Sequence, residues 1–123
     1  LDRFFDLYVM SAVQYAVESA LGRHPHSKEA GRAVAEQRLE QAYAWLEGRL
    51  EGRTWAAGTD FTLADCGAAP SLFYADWTHR IAGKYPLVQA YRARLLARPS
   101  FARAVEEGRP YRALFPLGAP QRD

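Results

Sequence analysis

Apolar residues recur at three- and four-residue intervals along most of the chain, the repeat of helices that bury one face. Over residues 2–21, Phe5, Val9, Ala12, Val13, Ala16 and Ala20 fall on one face of a helix, with Phe4, Tyr8, Ser11 and Tyr15 on an adjoining strip. That arc is wider than the ~100° stripe of a surface helix, so the element needs more than one neighbour. Gly22 is placed to cap its end, and Ser27, after the Arg23-His-Pro-His loop, to cap the next start. A second helix from Lys28 to Glu51 carries Ala35, Leu39, Ala42, Leu46 and Leu50 inward, with Gly52 beyond it. Long helices joined by so short a loop pack antiparallel.

The segment Phe61-Thr-Leu-Ala-Asp65 has the spacing of a capping box opening a third helix. Thr62 and Asp65 satisfy two of the backbone N–H groups that a helix start leaves without partners. Phe61 precedes the cap as a hydrophobic staple, packing against the first turn near Cys66. Phe61, Thr62 and Asp65 are therefore structural. The apolar residues that follow (Leu63, Ala64, Cys66, Ala68, Ala69, Leu72, Phe73, Trp77) go nearly all round, the pattern of a helix in the middle of a bundle. Pro70 should bend that helix or break it into two pieces. Pro86 opens a fourth helix, with Leu87, Val88, Tyr91, Leu95 and Leu96 inward. Pro99-Ser-Phe101 opens a short fifth, followed by an irregular tail with Tyr111, Leu114 and Phe115. The fold class is all-α, a five- to six-helix bundle.

Composition narrows the function. At 123 residues the chain is one domain, and with 49% apolar and 24% charged residues it is an ordinary globular composition. A net charge of +2, with arginines dispersed among acidic residues, argues against a nucleic-acid platform. No apolar run approaches the ~20 residues of a membrane span. The single cysteine excludes an internal disulfide and suggests a reducing, cytoplasmic setting. The chain opens on Leu1 with its apolar pattern already running at Phe4, and reads as a piece whose beginning is missing.

Several segments, in this order and spacing, resemble the C-terminal helical domain of cytosolic glutathione transferases, of the bacterial type. They are Trp45-Leu-Glu47, Trp55-Ala-Ala-Gly58, Phe61-Thr-Leu-Ala-Asp-Cys66 with Pro70 beyond, and Tyr85-Pro-Leu87 leading to Arg98-Pro-Ser-Phe101. The resemblance extends from the first helix to Phe115. It implies that the chain, over residues 1–123, is the half that binds a small hydrophobic electrophile and forms a homodimer through its first two helices. Glutathione, the co-substrate, would be bound mainly by an N-terminal thioredoxin-like domain that has no counterpart in these residues. That domain would also lower the pKa of the glutathione thiol, which conjugation requires. The chain alone is expected to be inactive and to carry no catalytic residue. An alternative is a non-enzymatic relative, of the stringent starvation protein kind, that uses the same fold to bind proteins. Relatives that isomerise, dehalogenate or reduce peroxides with glutathione are a further possibility.

On the element that lines the pocket in this family, Tyr8, Ser11 and Tyr15 could orient an electrophile through a phenol or hydroxyl, and Phe115 in the tail could cover it. Each also fits ordinary packing or a dimer contact. Cys66 reads as a small apolar core residue. His24 and His26, flanking a proline, have no third ligand nearby and make no metal site, and His79 suits a helix end. Arg92, Arg94, Arg98 and Arg103 read mostly as a solvated face.

Overall fold

The computed structural model describes residues 1–25 and 27–123, so that His26 lies outside the described residues. Among the described residues five helices follow the order of the apolar repeats, and a 3-10 turn comes after the last at Arg109–Leu114. Among the described residues there is no strand beyond one isolated bridge between Trp55 and Gly58. The all-α expectation holds.

The first helix, α1 (residues 2–20), is not uniform. An α-turn at Asp2–Phe4 passes into π-helical turns over Phe5–Met10 before regular helix resumes at Ser11–Ala20. The Ser11 N–H reaches back five residues to the Asp6 carbonyl, where the sequence pattern predicts plain α-helix. Phe5 and Val9 are fully buried, while Leu7 and Tyr8 are 55% and 63% exposed. The second helix, α2 (Lys28–Arg49), is capped by Ser27, whose hydroxyl accepts from the Ala30 N–H at 3.2 Å. Its predicted inward residues, Ala35 through Leu50, are all buried. α1 and α2 run antiparallel: Phe4 meets Trp45 at 4.4 Å between ring centroids, and Ser19 meets Gly31. A Cβ at position 31 would stand 2.1 Å from the Ser19 hydroxyl, so only glycine allows this approach.

The central helix α3 (Leu63–Thr78) begins at the expected box. Asp65, fully buried, does more than close it: it accepts from the Thr62 N–H at 2.8 Å, the Ala56 N–H at 2.9 Å and the Tyr91 hydroxyl at 2.5 Å. One carboxylate thus ties the preceding loop, the helix start and α4 (Pro86–Ala97) together. Burial and the Asp65 carboxylate both push the Tyr91 phenol far above its ordinary pKa. Pro70 does not break α3 in two; the helix is continuous, and the next residue, Ser71, donates its hydroxyl to the Gly67 carbonyl at 2.8 Å. Nor is α3 enclosed on all sides. Leu63, Cys66, Pro70 and Tyr74 fall on one stripe that no helix covers, Leu63 being 74% exposed. Cys66 is therefore exposed, contrary to its reading as a core residue.

α4 starts at Pro86 with no cap from its own side chains. Glu47 of α2 serves instead, accepting from the Leu87 and Val88 N–H groups at 2.9 Å each. The last helix, α5 (Pro99–Gly108), leans Phe101 against the core. The arginines expected on a solvated face mostly do other work. Arg92 donates to the Leu72 carbonyl and lies 3.8 Å from the nearly buried Asp76. Arg94 donates to the Thr54 carbonyl at 3.0 Å, and Arg98 stacks 3.5 Å over Phe61. Arg103 is solvated, with its side chain 81% exposed. A helical repeat marks which residues face the interior; it says nothing of a long cation that lays its stem across apolar surface and spends its head on a backbone carbonyl.

Candidate functional site

α1 separates two grooves. The first lies between α1 and α2 and encloses about 880 Å³. The outward side chains of the π-helical segment, Leu7 and Tyr8, line it with Phe4, Ser11, Arg38 and Trp45. Phe4 stacks on Tyr8 at 5.7 Å and tilts against Trp45, which is half exposed. Tyr15 lies next to this groove, with the Arg38 guanidinium 4.8 Å above its ring and His24 4.2 Å away on another side.

The second groove, of about 620 Å³, lies across α1, between α1, the open stripe of α3, α5 and the tail. Its α1 wall is Met10, Val13, Gln14 and Val17. Opposite stands a set of rings in mutual contact: Trp77 lies 4.6 Å from Phe73 and 5.6 Å from both Tyr74 and Phe115, and Phe73 meets Phe101 edge-on at 5.9 Å. Tilted and edge-to-face rings at these spacings are the favourable geometries for aromatic pairs. The surface is apolar and built from wide, flat side chains.

A polar clasp holds the tail in place beside these rings. Arg122 donates to the carboxylate and, at 3.2 Å, to the carbonyl of Asp76, while Asp123 pairs with Arg109 at 2.8 Å and with Arg112. The two guanidiniums hold the Asp123 carboxyl below its usual range, Arg112 contributing most. Arg112 also lies 5.1 Å over the Trp77 ring. A second polar cluster joins α2 to the start of α4. Glu40 accepts from Lys84 at 2.7 Å and from the Tyr85 hydroxyl at 2.8 Å, and meets His79 Nε2 at 2.7 Å. These contacts, led by Lys84 and then His79, bring the Glu40 pKa down to about 2.

The residues singled out in the sequence do not converge. Tyr8 and Ser11 border the first groove, Tyr15 lies beside it, and Phe115 belongs to the second. Sequence reasoning missed the groove role of Phe73, Tyr74 and Trp77: Phe73 and Trp77 are buried as the pattern predicts, and it gives no sign that they also back a groove or that Tyr74 is left open. Met10 and Val17, apolar residues beyond the arc assigned to α1, were the available signal for the second groove. Among the described residues no group of His, Cys, Asp or Glu could hold a metal, and no helix is long and apolar enough to cross a membrane.

Comparison with known proteins places the chain in a family. A glutathione S-transferase of the plant Hyoscyamus muticus is 34% identical over 80 residues, which cover 63% of this chain and 38% of that protein. The chain thus spans well under half the length of that relative. No solved structure matches. The family model "Glutathione S-transferase, C-terminal domain" matches residues 6–99, from the π-helical turns through the capping box to the start of α5. The chain belongs to the glutathione S-transferase C-terminal domain family.

Proposed function

We propose that this chain is the electrophile-binding and dimerising half of a glutathione transferase, one that conjugates glutathione to hydrophobic electrophiles. A thioredoxin-like domain joined to it would bind glutathione and activate the sulfur; by itself the helical chain is silent. The observation that carries this reading is the second groove, a cleft of aromatic rings with few polar groups, suited to varied apolar ligands. Phe115 and the α1 residues Met10, Val13 and Gln14 form its wall. The exposed Leu7, Tyr8 and Trp45 of the first groove favour a different role for Tyr8 and Ser11, contact with a second subunit through α1 and α2. Tyr15, close to Arg38, lies at the edge of that contact.

The test uses the full-length protein and a chlorinated nitroarene. Phe115→Ala should raise the KM for that electrophile several-fold and leave the KM for glutathione unchanged. Trp45→Glu should convert dimers to monomers in sedimentation. Conjugation by the 123-residue chain alone, above the uncatalysed rate, would overturn the assignment, as would unaltered electrophile kinetics in Phe115→Ala.

A further inference from the structure

The second groove hides a polar group that its apolar lining does not account for. Trp77 is 93% buried, being 7% exposed, and its indole N–H has no hydrogen-bond partner. A buried donor left unmade carries a desolvation penalty, and most buried indoles find an acceptor. Phe73 and Phe115 beside it have no acceptor in their side chains, the Tyr74 ring meets it edge-on without a bond from the phenol oxygen, and the Arg112 guanidinium over its face is only a donor. No acceptor of the chain lies within hydrogen-bond distance of this N–H, which leaves it free to take one from a bound ligand. Two of the four neighbours, Arg112 and Phe115, belong to the tail, whose anchorage is a set of ion pairs at its end. The N–H has no exposed surface here, so a ligand reaches it only if these tail side chains shift, which loosens the Arg122–Asp76 pair.

Resting on the reading of this groove as the electrophile site, we infer that Trp77 selects among apolar ligands by donating its indole N–H to an oxygen acceptor on a planar aromatic. The rings supply flat surface for the aromatic body, and the orphan donor fixes its orientation. The ligand class is therefore an arene bearing a carbonyl, nitro or sulfonyl oxygen, in preference to a plain hydrocarbon of the same shape. The discrimination arises because the hydrocarbon leaves the donor unmade whereas the ketone satisfies it.

Two probes of nearly equal shape test this, 2-acetylnaphthalene and 2-isopropenylnaphthalene, which differ by a carbonyl oxygen in place of a methylene. The alkene is the more apolar, so transfer from water alone favours it. Calorimetric titration of the 123-residue protein should show the ketone binding about five- to tenfold tighter, the scale of one hydrogen bond made in a desolvated site. In 15N-labelled protein, which has three tryptophans, the ketone should move one indole proton downfield and the alkene should not. Loss of that resonance in Trp77→Phe identifies it, and in that variant the alkene should become the tighter ligand. If Trp77→Phe does not fold, the wild-type pair of probes still decides. Equal affinities with an unmoved Trp77 resonance would overturn the role of Trp77 and leave the groove standing as an apolar site. Failure of both probes to bind would overturn the groove reading and this inference with it.

Discussion

Asp65→Ala is expected to destabilise the protein by about 3–5 kcal/mol, well beyond the ~1 kcal/mol of a lost helix cap. The carboxylate sits with no exposure and accepts from Ala56, Thr62 and Tyr91 at 2.5–2.9 Å. Hydrogen bonds to a charged acceptor contribute ~1.5–3 kcal/mol each, and the low end applies because burying the carboxylate already carries a desolvation cost. Removing it leaves three donors unmatched in the interior. Asp65→Asn should fall between, since one oxygen is kept while an NH2 group replaces the other and confronts a donor. Tyr91→Phe, which removes only the longest-range of the three bonds, should cost ~1–2 kcal/mol. Urea unfolding followed by far-ultraviolet circular dichroism measures all three, and Asp65→Ala should lower the Tm by on the order of 10–20 °C. The double variant should lose less than the two single losses added, because both remove the same bond. A cost for Asp65→Ala of ~1 kcal/mol or less, or strict additivity with Tyr91→Phe, would refute the view that this carboxylate joins three elements.

Acid should weaken the protein through Glu40. Its pKa is lowered to about 2 from 4.5, so its contribution is complete above pH 4.5 and is lost as pH falls toward 2. Glu40→Gln should accordingly show a smaller drop in urea midpoint between pH 5 and pH 2.5 than the wild type; identical slopes would count against the cluster. Arg122→Ala should speed amide hydrogen exchange in residues 109–123 by about tenfold while leaving α1–α4 protected, for a loss of ~1–2 kcal/mol in local closure. Uniform protection would show that Asp76 does not hold the tail. Native protein should react at once with a stoichiometric thiol reagent at the exposed Cys66, and Cys66→Ser should shift stability by less than ~0.5 kcal/mol. A thiol that reacts only in urea would contradict its exposure.

The helices and their inward faces were legible because both are local. Phe5, Val9, Leu39, Leu46 and Val88 announce themselves by spacing, and Thr62 with Asp65 by a capping pattern complete within four residues. What periodicity cannot report is which neighbour covers a given face. The apolar surround of α3 implies full enclosure, yet the stripe through Leu63, Cys66, Pro70 and Tyr74 has no helix over it. The π-helical turns at Phe5–Met10 leave no mark in composition, and Tyr8 and Met10 within them face different grooves. Partners distant in sequence were equally out of reach: Tyr91 lies 26 positions from Asp65 and Arg122 lies 46 from Asp76. The site is the least legible part for the same reason, since its walls come from α1, α3, α5 and the tail at once.

The cap that Glu47 lends to α4 has a consequence for how the chain assembles. Tyr85 offers that helix no side-chain bond, and the two N–H groups of its first turn are answered by a residue 40 and 41 positions earlier. Nucleation is the costliest step in making any helix, and here the bonds that would ease it come only when α2 is alongside. Cut free as a peptide, the segment would spend most of its time as coil. In the intact protein the first turn of α4 is completed by a side chain of another helix.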